Sequence, residues 1–179
     1  YENVEAVIAV TGEENDTDET NASGLPPHSI ELVVYGGLDE EIAKAIHRRK
    51  GAGIQTFGNV TVPVVDAAGN IKNISFSRPA PVNVWVRVFN LQTDNTFPLD
   101  GIEQIKQRLT EYIGSDTRGG LNIGQNVICV ALPTEVFKVQ GVVDFDLQIS
   151  PDGEAYSWQN ITIAAREKAV TNEDMVMVE

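Results

Sequence analysis

Cysteine is almost missing from this 179-residue chain: Cys129 stands alone. A disulfide framework within the chain and a cysteine-based zinc site are thereby excluded. Histidine is nearly as scarce, with His28 and His47 far apart in sequence, which leaves little for nucleophilic or metal chemistry. No uncharged apolar run reaches the roughly 20 residues of a membrane span. Positive charge is short as well, with 13 Lys and Arg against 26 Asp and Glu and a net charge of −13. That balance opposes nucleic-acid binding, because repelled phosphates cost affinity with no counterion release to offset them. It equally opposes an anionic membrane surface. The GxSxG, HExxH, CxxC and Walker patterns are absent. No Met, basic n-region or apolar h-region opens the chain at Tyr1, which reads as a fragment of a longer protein.

What is present suits a globular protein. Hydrophobic residues make up 42% and charged residues 22%, enough apolar surface for a core. The length fits one large domain or two small modules.

The charge is uneven. Residues 1–24 hold Glu2, Glu5, Glu13, Glu14, Asp16, Asp18 and Glu19 and no Lys or Arg. Residues 4–10 (VEAVIAV) read as a strand, and residues 12–24 as a long mobile acidic loop whose few apolar groups cannot offset its ordering entropy. Residues 29–35 are β-rich. Residues 38–50 read as a helix with Leu38, Ile42, Ala45 and Ile46 on one face, three acids in its first turn and three basic residues in its last. Residues 60–66 and 71–77 form a predicted hairpin across Ala68-Gly69-Asn70, with Pro63 marking an edge strand.

After Arg78-Pro79 the order recurs. Residues 82–89 alternate, with Val82, Val84, Val86 and Val88 on one face. Asp100 and Glu103 have capping-box spacing ahead of a helical stripe of Ile102, Ile105, Leu109 and Ile113. Residues 126–132 read as a buried strand, 133–138 as a helical turn, and 143–149 and 156–164 as further strands. The expectation is an α+β chain of two modules, 1–79 and 80–165, each a mixed β-sheet with one helix on a face, followed by a poorly patterned tail at 166–179.

Each hint of chemistry meets an objection. Asp16 and Asp18 have the i, i+2 spacing of a calcium loop, but the sixth and twelfth positions are Asn21 and Pro27 rather than glycine and an acid. Gly51, Gly53 and Gly58, like Gly119, Gly120 and Gly124, precede strands, whereas a phosphate loop follows a strand and opens a helix. Cys129 sits in an apolar run and reads as inert packing. The Asn-x-Ser/Thr triplets at Asn15, Asn21, Asn59, Asn73 and Asn160 read as chance. No catalytic, cofactor-binding or metal-binding residue is assigned. Two surfaces are candidate interfaces. Trp85, Arg87 and Phe89 share the face opposite the valines and either pack under the second helix or present a contact surface. Ile54 and Phe57 lie in a glycine-rich loop and either tuck onto their own sheet or await a partner.

The run Gly24-Leu25-Pro26-Pro27-His28-Ser29-Ile30-Glu31, then Gly36-Gly37 and residues 39–46, then 51–59, resembles the baseplate J-like family of contractile-tailed bacteriophages and related tail machines. Residues 74–79, Asp100-Gly101-Ile102 through Ile105-Lys106, and 139–142 continue it, while the loop 115–125 departs. The resemblance implies the C-terminal part of a baseplate wedge subunit in the virion, assembled in the bacterial host cytoplasm. Its implied partners are other wedge and hub proteins and copies of itself in a ring of six wedges, with no catalytic residues and no cofactor. A tailocin or contractile secretion apparatus is equally compatible. A tail-tip carbohydrate- or receptor-binding module, or an enzyme acting on the host wall, remains the alternative.

Overall fold

A computed structural model describes residues 6–51 and 53–179. The chain is α+β, with three α-helices among small mixed sheets in the described residues. It divides into two units, Tyr1–Pro79 and Ala80–Glu179.

In the first unit, β1 (Val7–Asn15) pairs antiparallel with β2 (Ser29–Gly36), and β2 pairs parallel with β3 (Gln55–Phe57). Between β2 and β3 runs α1 (Asp39–Arg49). A hairpin of β4 (Val60–Val65) and β5 (Ile71–Phe76) follows. Pro63 is tolerated in β4 because that strand pairs with β5 alone, so its missing N–H faces no second ladder. Ile42, Ala43 and Ile46 of α1 meet Val34, Val64, Ile74 and Phe76 to form the core. Leu38 stands outside that face at 72% exposure, because the helix begins one residue later and Leu38 itself is extended. Arg78 ties the corner between β2 and α1: its guanidinium donates to the carbonyls of Val34 and Gly37 (3.0 and 2.8 Å) and to the Asp39 carboxylate (2.6 Å).

The acidic stretch is more ordered than its composition suggests. Of the predicted strand 4–10, residues 4 and 5 lie outside the described residues, and β1 runs on to Asn15 through the charged Glu13 and Glu14. Charged residues suit a strand whose outward side chains face water. Asn15 is 3% exposed, and its amide donates to the carbonyls of Glu19, Leu25 and Pro26 (2.8, 2.8 and 3.1 Å). The Asn21 carboxamide oxygen accepts from the Leu25 N–H at 2.9 Å, and Leu25 is fully buried. Asn15→Ala is expected to cost about 1–3 kcal/mol, since three hydrogen bonds are lost together, although the Glu19, Leu25 and Pro26 carbonyls each keep a second donor in Thr17, Asn21 and Ser29. Urea denaturation checks this; an unchanged midpoint would mean that water replaces the amide.

The second unit comprises β6 (Ala80–Asn83), β7 (Trp85–Thr93), α2 (Gly101–Ile113), α3 (Leu132–Val136), β8 (Val142–Ser150), β9 (Glu167–Val170) and β10 (Val176–Val178). One sheet runs β10-β7-β8 and another pairs β6 with β9. The expected single strand 82–89 breaks at Val84, whose N–H bonds to Val170 (2.9 Å) while its carbonyl accepts the Thr171 hydroxyl (2.7 Å). Its alternation survives the break: Val84, Val86 and Val88 are fully buried against Ile105, Leu109 and Ile113. Ile102 is 41% exposed and off the stripe. The capping box is not made either; the Asp100 carboxylate accepts from the Gln104 side chain instead (3.0 Å).

Four further expectations are corrected. Residues 126–132 form no strand: Val127 makes a lone bridge to Ile161, and the chain then winds into a 3-10 turn (Cys129–Ala131) and α3. The apolar run NVICVAL is compatible with either form, and Pro133 near the start of a helix favours the turn. Residues 156–164 likewise make only the isolated bridges Ser157–Ile149 and Ile161–Val127. The supposed tail 166–179 is part of the second unit. It carries β9 and β10, and Ala169, Val170 and Val176 are buried. Lys168 is fully buried, donating to the carbonyls of Gly119 and Leu121 (2.8 Å each), and this hid the segment's core character. The architectural repeat between the halves does not hold either, because α1 leads to a strand parallel to β2 whereas α2 leads to α3 and a strand antiparallel to β7.

After β8 the chain turns over Ser150-Pro151-Asp152-Gly153. The Asp152 carboxylate accepts from the Ser150 hydroxyl (2.6 Å) and the N–H groups of Glu154 and Ala155. These bonds, the Ser150 one foremost, pull its pKa down to about 2. A carboxylate depressed on folding contributes stability above its unfolded pKa of 3.8 and loses it as pH falls toward 2. Asp152→Asn is therefore expected to flatten acid destabilisation between those values; a melting-temperature profile as steep as the parent's would count against it.

Candidate interface on the outer face of the second unit

The sparse nucleophiles are placed where chemistry is unsupported. His28 is exposed and pairs with Asp18 at 3.0 Å. Cys129 is 2% exposed, and burial pushes its thiol up to about 11, so almost none is thiolate near neutrality. Among the described residues no group of three or more His, Cys, Asp or Glu is arranged to hold a metal. Gly51 and Gly53 lead from α1 into β3, and Gly119 and Gly120 follow α2, so neither set opens a helix.

Of the candidate interface residues, Ile54 is half-buried and lies against Gly51, with its carbonyl accepting from the Lys50 ammonium (2.9 Å). Phe57, at the end of β3, is 37% exposed. Trp85, Arg87 and Phe89 share the outer face of β7. They do not pack under α2, which covers the valine face. All three are half-buried. The Trp85 indole lies against the Gly153 turn. The Arg87 guanidinium stands 5.3 Å from the Phe89 ring centroid and pairs with Glu179 at 3.0 Å. The Arg87 Nε and the nearby Tyr156 hydroxyl are buried without a hydrogen-bond partner, and burial raises the Tyr156 pKa.

Register carries this face across to β8. Phe89 lies opposite Asp146, Arg87 opposite Gln148 and Trp85 opposite Ser150. Beside Phe89 opens a groove of roughly 420 Å³, walled by Pro133 of α3, by Phe137 just after that helix, by Phe145 and by Trp158. The Phe137 and Phe145 rings are 4.8 Å apart at 50°. Phe137 is 53% and Trp158 50% exposed, large apolar areas to leave in water. Asp144 and Asp146 rim the groove. Asp146 accepts from the Asn90 amide (2.8 Å) and Asp144 from the Phe145 N–H (3.0 Å). Neither forms an ion pair among the described residues.

Sequence reasoning reached Phe89 but missed Phe137, Phe145 and Trp158 as its companions. They come from three segments some fifty to seventy positions after Phe89, and one of those, 156–164, was expected to be a strand. The available signal was compositional: an unpaired Asp144 and Asp146 interleaved with Phe145 in β8. No protein-family model matches the chain, and no curated protein matches it. No helix among the described residues is long and apolar enough to cross a membrane.

Proposed function

We propose that the chain is a structural subunit of a contractile-tail baseplate wedge, in a phage or a related tailocin or secretion machine. In this reading it links hub, sheath and neighbouring wedge proteins by protein–protein contacts and carries out no catalysis. The observation that carries a contact role is the aromatic groove, where Phe137 and Trp158 are half in water with carboxylates at the rim. Such aromatic surface is enriched where proteins meet. The tail-machine assignment is supported by the sequence resemblance over residues 24–79 and its looser continuation.

The test is to label the chain and image tail particles at low resolution. Density at the baseplate in six-fold repeat is the expected result; label elsewhere, or particles that lack the chain, would end the reading. In parallel, purified protein is expected to leave peptidoglycan and simple ester, peptide and glycoside substrates unhydrolysed. Turnover lost on mutation of a single Asp or Glu would replace the reading with an enzyme. Selective binding on a glycan array would point to a receptor module, for which exposed Trp158 beside two carboxylates is suitable chemistry.

A further inference from the structure

The geometry points to the open edge of β8 as a strand-addition site for an extended segment of a partner protein that is basic on one face and apolar on the other. This rests on reading the chain as a contact protein and names what the contact takes.

The backbone supplies the first argument. β8 is the last strand of the sheet β10-β7-β8. Ile149 bonds through both its N–H and its C=O to Ser157 (2.9 Å each), so these groups point away from β7. On the other side of β7, the Val88 carbonyl accepts from Glu179 at 2.9 Å, so Val88 spends its bonding toward β10 and not toward its register partner Leu147. Bonding direction alternates along an antiparallel strand. Leu147, two residues before Ile149, therefore turns its N–H and C=O outward, and so does Phe145. The Phe145 N–H is met by Asp144, whereas no backbone group among the described residues meets those of Leu147. The chain that pairs at Ser157 leaves the edge at Trp158, so the ladder is begun at Ile149 and not continued. Unpaired strand groups beside hydrophobic surface are the template for an added strand.

The side chains supply the second argument and select the occupant. Asp144 and Asp146, two apart, lie on the face shared with Phe89, and Phe145 and Leu147 on the other. A strand laid along this edge sets one row of side chains beside two carboxylates without ion-pair partners, which suits Lys or Arg by charge. Its other row lies beside Phe145, Phe137 and Pro133, which suits apolar residues. A second copy of the chain fits poorly. Pairing β8 with β8 brings the Asp144 and Asp146 of two molecules together, and the chain as a whole is at −13.

The probes are synthetic ten-residue peptides, one alternating Lys and Val and one alternating Glu and Val, titrated into the full chain. Tryptophan fluorescence, with Trp85→Phe as background so that Trp158 alone emits, reports binding, and amide hydrogen exchange reports the edge. The Lys/Val peptide is expected to slow exchange at Leu147, to weaken as salt rises, and to bind at least tenfold more weakly to Asp144→Asn/Asp146→Asn. Both carboxylates are exposed, so the double variant keeps the fold. Phe137→Ala is expected to weaken binding without restoring affinity for the Glu/Val peptide. Equal binding of both peptides, or binding without protection at Leu147, overturns the proposal. Dimers that protect Leu147 in the absence of peptide would make a second copy the occupant and also overturn it. None of these readouts needs a tail particle, so the site and the baseplate reading can fail separately.

Discussion

Replacing Leu109 by aspartate is expected to abolish the cooperative unfolding transition of the second unit. Leu109 is fully buried in the middle of α2, in one cluster with Val86, Val88, Ile105, Ile113 and Leu147. A carboxylate there has no cation to pair with on the apolar stripe. It must either stay charged in a dry environment or take up a proton, and it also removes the leucine's packing. The combined cost is about 4–6 kcal/mol, comparable with the whole stability of a small domain. Both tryptophans, Trp85 and Trp158, belong to this unit, so tryptophan fluorescence reads its transition directly. Ile102→Asp on the same helix is the control. Ile102 is 41% exposed, and its replacement is expected to shift stability by no more than about 1 kcal/mol. A Leu109→Asp protein that melts like the parent would mean that α2 does not face the core described.

In the first unit the largest effect of a small change is expected at Gly58. Its φ is +152°, and a Cβ built there lies 2.1 Å from the carbonyl carbon of Phe76 and 2.3 Å from its oxygen. The obstacle is backbone, and Phe76 is itself fully buried, so no side chain can rotate out of the way. Gly58→Ala must push β4 and its entry loop off the end of β5. The expected loss is on the order of 3 kcal/mol or more. Gly53→Ala is the comparison, since a Cβ there meets nothing within 4 Å and only the strain of its φ of +87° remains, about 1 kcal/mol. Hydrogen exchange of the Val34 and Ile74 amides measures both. Equal effects of the two substitutions would refute the close approach at Gly58.

Much of this fold can be read locally. The helix over 38–50 shows in Ile42 and Ile46, four apart, between an acidic first turn and a basic last one. The observed α1 differs only at its ends. The valines at 84, 86 and 88 announce a buried strand face, and Ile105, Leu109 and Ile113 the helix stripe that covers it. Ala68-Gly69-Asn70 marks the hairpin turn: the Asp66 carboxylate accepts the N–H groups of Ala68 and Asn70 at 2.9 Å each. In all of these the deciding neighbours are within about eight residues, so periodicity and turn chemistry suffice.

The errors fall where the partner is remote. Glu13 and Glu14 look like loop until β2 lies beside them, and residues 126–132 look like strand until only Ile161 is found to pair there. Lys168 disguises a core strand because the carbonyls that satisfy its ammonium belong to Gly119 and Leu121, some fifty positions away. The groove follows the same rule. Composition alone excluded a disulfide framework and a cysteine-based zinc site, and local pattern placed Trp85, Arg87 and Phe89 together on one strand face. That Phe137, Phe145 and Trp158 gather beside Phe89, at an edge whose ladder stops at Ile149, was decided by the tertiary structure. Side-chain period is a local property of the backbone, whereas the bonding partner across a sheet is set by which distant segment packs there and which departs.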